Sequence, residues 1–190
     1  MHKKFTLNDE LSKAQILINA VLFQLCWFSA VLMGSYWALL PLGFMLLHYL
    51  WVRGSNGLLT VFLLGGLGVM FDSLYLYLGI YHLDAQTAAL PLLNLPVWLM
   101  CLWLGFCLSL PLSLAWLIKK PLYFIVGCMI LGPVSYMAGR RLQAIDFADI
   151  NLGFMVLEWA VFALLVCLSL GPKLTAAKQL SIASRKPSSC

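Results

Sequence analysis

Residues 58–81 read LLTVFLLGGLGVMFDSLYLYLGIY, an apolar run long enough to cross a lipid bilayer as one helix. A single carboxylate, Asp72, interrupts the run. A charge at this depth costs several kcal/mol or more unless protein groups satisfy it. The stretch therefore predicts a transmembrane helix that turns Asp72 toward other protein and away from lipid.

The rest of the chain has the same character, because 63% of its residues are apolar and only 10% are charged. Such a composition excludes an ordinary soluble domain. A chain of 190 residues holds about six spans of roughly 20 residues each, which leaves no room for a separate soluble catalytic domain. We predict an all-α membrane protein, a single polytopic bundle with spans near 14–33, 36–52, 58–81, 95–118, 121–139 and 150–171.

The basic residues predict the orientation of the bundle. With six spans, ten of the twelve Lys and Arg residues fall on one side, and only Arg140 and Arg141 fall on the other. The positive-inside rule then places both termini in the cytoplasm. We divide the chain into a cytoplasmic segment 1–13, a membrane domain 14–171 and a tail 172–190, expected to be disordered because it is polar and lacks apolar periodicity.

Two carboxylates are expected at the same depth. Asp72 lies nine residues from Tyr81 at the outer end of its span, or roughly 14 Å down, and Glu158 lies eight residues past Ile150, or roughly 12 Å down. Gly65 and Gly68 share the helix face of Asp72, and such small residues let a neighbouring helix approach closely.

The fifth span carries a second small and polar face that ends at the arginine pair. We expect the two faces to meet in a polar pocket that opens to the outer leaflet. Its predicted ligand-binding residues are Asp72, Ser135, Tyr136, Arg140 and Glu158. The alternative is that the two carboxylates only contribute hydrogen bonds to helix packing.

Neither a metal nor a cofactor is expected. Five of the six cysteines lie inside apolar runs, without the paired spacing of a zinc or haem-attachment motif. His48 has no second histidine at a suitable spacing, so we interpret it as a core residue.

The chain contains, in order, the motifs Gln24-x-x-Trp27, Gly68-x-x-x-Asp72-Ser73, Gly132-Pro133-x-Ser135-Tyr136 and Glu158-Trp159. This ordered set of motifs resembles the bacterial membrane family called domain of unknown function 2878. The resemblance covers about residues 15–165 and implies a multi-span protein of the bacterial inner membrane, without pointing to an activity.

Three classes of function are compatible with these residues. The first is a binding or transport-like protein that holds a membrane lipid or small amphiphile and supports lipid modification or transport. The second is a membrane enzyme that uses Asp72 and Glu158 as acid and base on a lipid. The third is a scaffold for another membrane protein. We favour the first, because no nucleophile, metal cluster or phosphate loop accompanies the carboxylates; nucleic acid is not an expected partner.

Overall fold

In the computed structural model, residues 11–83, 89–90 and 95–184 are described, with the backbone alone described at 89–90 and 176–184. This part of the chain forms seven α-helices and two small two-stranded sheets. The helices are α1 (Lys13–Met33), α2 (Ser35–Arg53), α3 (Leu58–Tyr77), α4 (Val97–Ser109), α5 (Ala115–Ile118), α6 (Pro121–Arg141) and α7 (Leu152–Ser184), and the strands are β1 (His82–Leu83), β2 (Ala89–Leu90), β3 (Leu95–Pro96) and β4 (Ile145–Asp146).

Five helices are long and apolar enough to cross a membrane: α1, α2, α3, α6 and α7 with the short turn before it. The fourth predicted span contains a shorter apolar helix, α4, which packs against α1, α2 and α3 at the centre of the bundle. The prediction of an all-α membrane protein is confirmed.

Side-chain contacts identify which helix termini share one end of the bundle. The Arg53 guanidinium, at the end of α2, donates to the Pro111 carbonyl at 2.7 Å. Near the start of α1, Asn19 Oδ1 accepts a hydrogen bond from Ser113 Oγ at 2.7 Å. We call this the basic end, since it carries Lys13, Arg53, Lys119, Lys120 and Lys173.

The opposite end is closed by a strand pair. Strand β1 follows α3 and pairs antiparallel with β4, which follows α6, so that His82 lies opposite Asp146. The turn between α1 and α2 lies here too, because the Trp98 backbone N–H donates to Ser35 Oγ at 3.2 Å. We call this the strand end. Most of the described basic residues gather at one end of the bundle, as the count of Lys and Arg residues predicted. That this end faces the cytoplasm stays a prediction.

Helix α3 ends at Tyr77, four residues before the end predicted from the sequence. Gly79 adopts a left-handed conformation with φ of 69°, and the Ile80 N–H donates to the Tyr75 carbonyl at 2.9 Å. This is a Schellman ending, for which glycine is the favoured residue. The turn sends the chain back under the helix, where Tyr81 is fully buried.

The fourth predicted span, 95–118, is not one continuous helix. It divides into α4 and α5, and residues 110–114 between them are irregular. Pro111 has no N–H to continue the helix, and the break is stabilised by the side chains of Arg53 and Asn19. The two pieces together still lead from the strand end to the basic end.

The prediction of a disordered tail from residue 172 is wrong up to Ser184, because α7 continues that far. The segment contains good helix formers such as Ala, Leu, Lys and Gln, which outweigh its polarity. Leu174 is buried and Lys173 Nζ donates to Thr60 Oγ1 at 3.1 Å, which fixes the start of the segment on α3. Residues 1–10 and 185–190 lie outside the described residues.

Candidate functional site

Asp72 of α3 is completely buried, and its carboxyl group contacts side chains of α4 and α6. Its Oδ2 accepts a hydrogen bond from Trp103 Nε1 of α4 at 2.5 Å. Its Oδ1 accepts one from the Tyr136 hydroxyl of α6 at 2.7 Å. In the described part of the chain, no Lys or Arg pairs with this carboxyl group. Asp72 therefore faces protein, as expected, and neutral donors satisfy it.

A second tyrosine supports the same residue from the turn after α3. The Tyr81 hydroxyl donates to the Asp72 backbone carbonyl at 3.3 Å. Burial raises the pKa of the Tyr81 phenol, and the nearby Asp72 carboxyl raises this pKa further. The phenol therefore keeps its proton and remains a hydrogen-bond donor.

Glu158, on α7, is 3% exposed and lies close enough to Asp72 for the two groups to interact electrostatically. Within the described residues, neither of its carboxyl oxygens has a hydrogen-bond partner. One turn away, the Tyr75 hydroxyl donates to the Phe154 carbonyl at 2.7 Å and joins α3 to α7. The two carboxyl groups thus share one buried region but differ in their hydrogen bonding.

Two tryptophan rings form the floor beside this region. Trp103 and Trp159 are stacked, with ring centroids 5.1 Å apart and an interplanar angle of 17°. A Cβ atom on Gly68 would overlap the Trp103 ring, and one on Gly132 would overlap the Trp159 ring. The predicted small-residue faces are confirmed, because these glycines accommodate the stacked rings between α3 and α6.

A groove lies between α1 and α6, with α4 and the stacked tryptophans at its floor, and its volume is about 720 Å³. Leu131 and Trp116 at its rim are 68% and 58% exposed, so the groove opens sideways to the surroundings of the bundle. None of its lining residues is charged. The polar residues that line it, besides the tryptophans, are Gln24, Ser109, Ser113, Ser135 and Tyr136.

The structure brings together three of the five predicted site residues, namely Asp72, Tyr136 and Glu158. Ser135 lies apart from the carboxyl groups, because its hydroxyl donates to the Gly132 carbonyl at 2.6 Å and its side chain lines the groove.

Arg140 lies outside this group of residues. It is exposed at the strand end and forms ion pairs with Asp146 at 3.3 Å and with Asp149 at 2.5 Å. Its guanidinium also lies 5.1 Å from the centre of the Phe147 ring. Since these contacts occupy it at the surface, Arg140 does not reach the buried carboxyl groups.

Trp103 was not among the predicted site residues. A buried indole N–H needs an acceptor. An aspartate at middle depth in another span is such an acceptor, so the sequence contained a signal that could have paired Trp103 with Asp72. No sequence pattern predicts the groove, because its existence depends on the distance between α1 and α6 in the folded bundle.

The geometry limits the chemistry of the site. Neither Asp72 nor Glu158 lines the groove, whereas Trp103 and Tyr136 both line it and donate to Asp72. A molecule in the groove would touch these two donors before it reached a carboxyl group. Among the described residues, no cluster of three or more His, Cys, Asp or Glu side chains could hold a metal ion.

Comparison with known proteins gives one match. The sequence model of a family described as "Protein of unknown function (DUF2878)" matches residues 16–168, which run from α1 into α7. No curated protein and no solved structure matches the chain.

Proposed function

The chain belongs to the DUF2878 family, and we propose that it binds a lipid or small amphiphile in the α1–α6 groove and supports lipid modification or transport in the bacterial inner membrane. The observation that carries the proposal is the groove itself, a volume of about 720 Å³ with an uncharged lining. Ligand sites of this size are typically apolar with a few polar groups that fix orientation.

Affinity in such a groove must come from shape and polar contacts. Lipid tails are as apolar as leucine, so moving a chain from the bilayer into the protein gains little from burial alone. The aromatic side chains of Phe23, Trp27 and Phe106 offer fixed surfaces for packing, and Gln24 and Ser135 offer hydrogen bonds. These groups would distinguish one amphiphile from the bulk lipid.

Catalysis by the carboxyl groups receives less support. A general acid or base must come within about 2.6–3.2 Å of the proton it transfers, or act through one water. Trp103 and Tyr136 stand between the groove and Asp72, and Glu158 does not line the groove. We therefore assign Asp72 a positioning role, in which it holds Trp103 and Tyr136 at the groove floor, while Glu158 shares the same buried region.

The test uses two glycines with open space around them. Gly127 lines the groove and Gly66 lies on the outer face of α3, and a Cβ atom at either position meets nothing within 4 Å. Gly127→Leu would place a bulky side chain in the groove, whereas Gly66→Leu is the matched control with the same change in helix propensity. Lipids that co-purify in mild detergent would be identified by mass spectrometry. We expect the wild type and Gly66→Leu to retain the same lipid and Gly127→Leu to lose it; equal retention by all three would refute the proposal.

A further inference from the structure

One buried donor in the groove lacks an acceptor. Trp159 is 9% exposed, it lines the groove, and its Nε1 has no hydrogen-bond partner within the described residues. Buried indole N–H groups usually have a partner. An oxygen of a bound molecule would supply one.

A second group, on the α1 wall of the groove, can both donate and accept a hydrogen bond. Gln24 is an exposed residue of α1 that lines the groove, and its side-chain amide has no hydrogen bond to the described part of the protein. Ser135 of α6 also lines the groove, and because its hydroxyl donates to the Gly132 carbonyl, its oxygen remains available as an acceptor. The Tyr136 proton is likewise given within the protein, to Asp72. A head group that matched these walls would carry a carbonyl oxygen for Trp159 and a hydroxyl for Gln24.

The depth of these groups argues against a charged head. Trp159 is seven residues into α7 and Gln24 nine residues before the end of α1, or about 10 and 14 Å from the strand end. An anion placed there would lose its hydration without gaining a cation, because no lining residue is charged. An uncharged head avoids this penalty.

The groove can also hold part of an acyl chain. Its lining on α1 runs from Ile16 to Val31, or about 23 Å along the helix axis, whereas one leaflet of hydrocarbon is about 15 Å thick. From Gln24, about 12 Å of this lining remains toward the basic end, as far as Ile16, so the first part of a chain that starts from Gln24 can lie inside the groove.

Resting on the proposed function, we infer that the occupant is an uncharged acylglycerol, whose ester carbonyl accepts from Trp159 and whose free hydroxyl bonds with Gln24. A phospholipid fits this site less well than an acylglycerol, because its head group is charged and no lining residue carries a charge. An isoprenoid quinone differs because its head has acceptors but no hydroxyl, so it leaves the Gln24 carbonyl unmatched.

The experiment compares three probes by native mass spectrometry of the detergent-purified protein: mono-oleoylglycerol, oleoyl lysophosphatidic acid and a decyl-chain quinone. We expect mono-oleoylglycerol to bind most tightly. Loss of one hydrogen bond in Gln24→Leu or Trp159→Phe should weaken its binding by about tenfold. Ser73→Ala is the control, since the Ser73 hydroxyl donates to the Val69 carbonyl on α3, outside the groove.

Each other outcome is decisive. Binding of the anionic lipid or the quinone as tightly as mono-oleoylglycerol, with loss in Gly127→Leu, would overturn the inference and leave the groove as a binding site. Undiminished binding of mono-oleoylglycerol to Gln24→Leu would overturn it too, even if Trp159→Phe failed to fold. If Gly127→Leu bound all three probes like the wild type, the proposed function would fail as well.

Discussion

Asp72 and Trp103 are joined by a buried hydrogen bond from the indole nitrogen to Oδ2, and the same indole lines the groove between α1 and α6. One face of the Trp103 ring packs on Gly68 and the other on Trp159. The position of the groove floor therefore depends on a carboxyl group that no groove-bound molecule touches. Variants of Asp72 and Trp103 should therefore change both the stability of the bundle and the binding of a molecule in the groove.

Trp103→Phe should lower the free energy of unfolding by about 1–3 kcal/mol, because it removes a donor from a buried carboxyl group. The cost should be smaller in an Asp72→Leu background, which offers the indole no acceptor, since directly bonded residues are not additive. Thermal unfolding in detergent measures all four proteins of this cycle. Trp116→Phe is the control, as Trp116 is 58% exposed. An equal cost of Trp103→Phe in both backgrounds would mean that the hydrogen bond contributes nothing.

Gly68→Ala should destabilise the bundle by about 1–3 kcal/mol, because its new methyl group would overlap the Trp103 ring and force a repacking of the core. Gly66→Ala, two residues away, meets open space and should be neutral or slightly stabilising. Melting temperatures of the two variants give the comparison. If the melting temperature of Gly68→Ala equals that of the wild type, the Trp103 ring can move aside without cost.

Arg140→Gln should leave lipid retention and the melting temperature close to those of the wild type. Within the described residues, Arg140 pairs with two exposed aspartates at the strand end, and exposed ion pairs contribute little. The measurement is the co-purified lipid profile, read beside Gly127→Leu as a positive control. A loss of lipid comparable to that in Gly127→Leu would restore Arg140 to the binding site.

Asp72→Asn and Glu158→Gln should each reduce lipid retention, and the double variant should be no worse than the stronger single variant, because the two residues act as a unit. Both substitutions keep the side-chain shape and abolish ionisation. Abundance in the membrane must be measured in parallel, to separate binding from folding. Full retention by both variants at normal abundance would leave the pair a purely structural role.

The orientation of the bundle can be tested by cysteine labelling on a background without the native cysteines. Ser55 at the basic end and Ala148 at the strand end are both exposed. With the basic end in the cytoplasm, an impermeant maleimide should label Ala148→Cys in cells with a permeabilised outer membrane and an intact inner membrane, and Ser55→Cys only after the inner membrane is broken. The reverse pattern would invert the topology.

The candidate site could be predicted in part. Asp72 and Glu158 stood out because a carboxylate within an apolar span is expensive, and their equal depth followed from the helical rise alone. Tyr136 followed from the polar face of α6. Arg140 was placed with them because it follows that face, but depth and spacing along one helix do not say which surface residues will compete for a guanidinium. Asp146 and Asp149 do so here.

The pattern of residues along the chain is enough to predict the class of the protein, the approximate positions of its spans, the asymmetry of its basic residues and the glycine faces at Gly68 and Gly132. These are properties of hydropathy and helical period, which each segment carries alone. The tertiary structure decided the break after Ser109, the hydrogen bond from Trp103 to Asp72 and the groove between α1 and α6. Those features depend on how each helix is rotated about its axis and which helices become neighbours, and the packing energy that selects them arises only when distant segments meet.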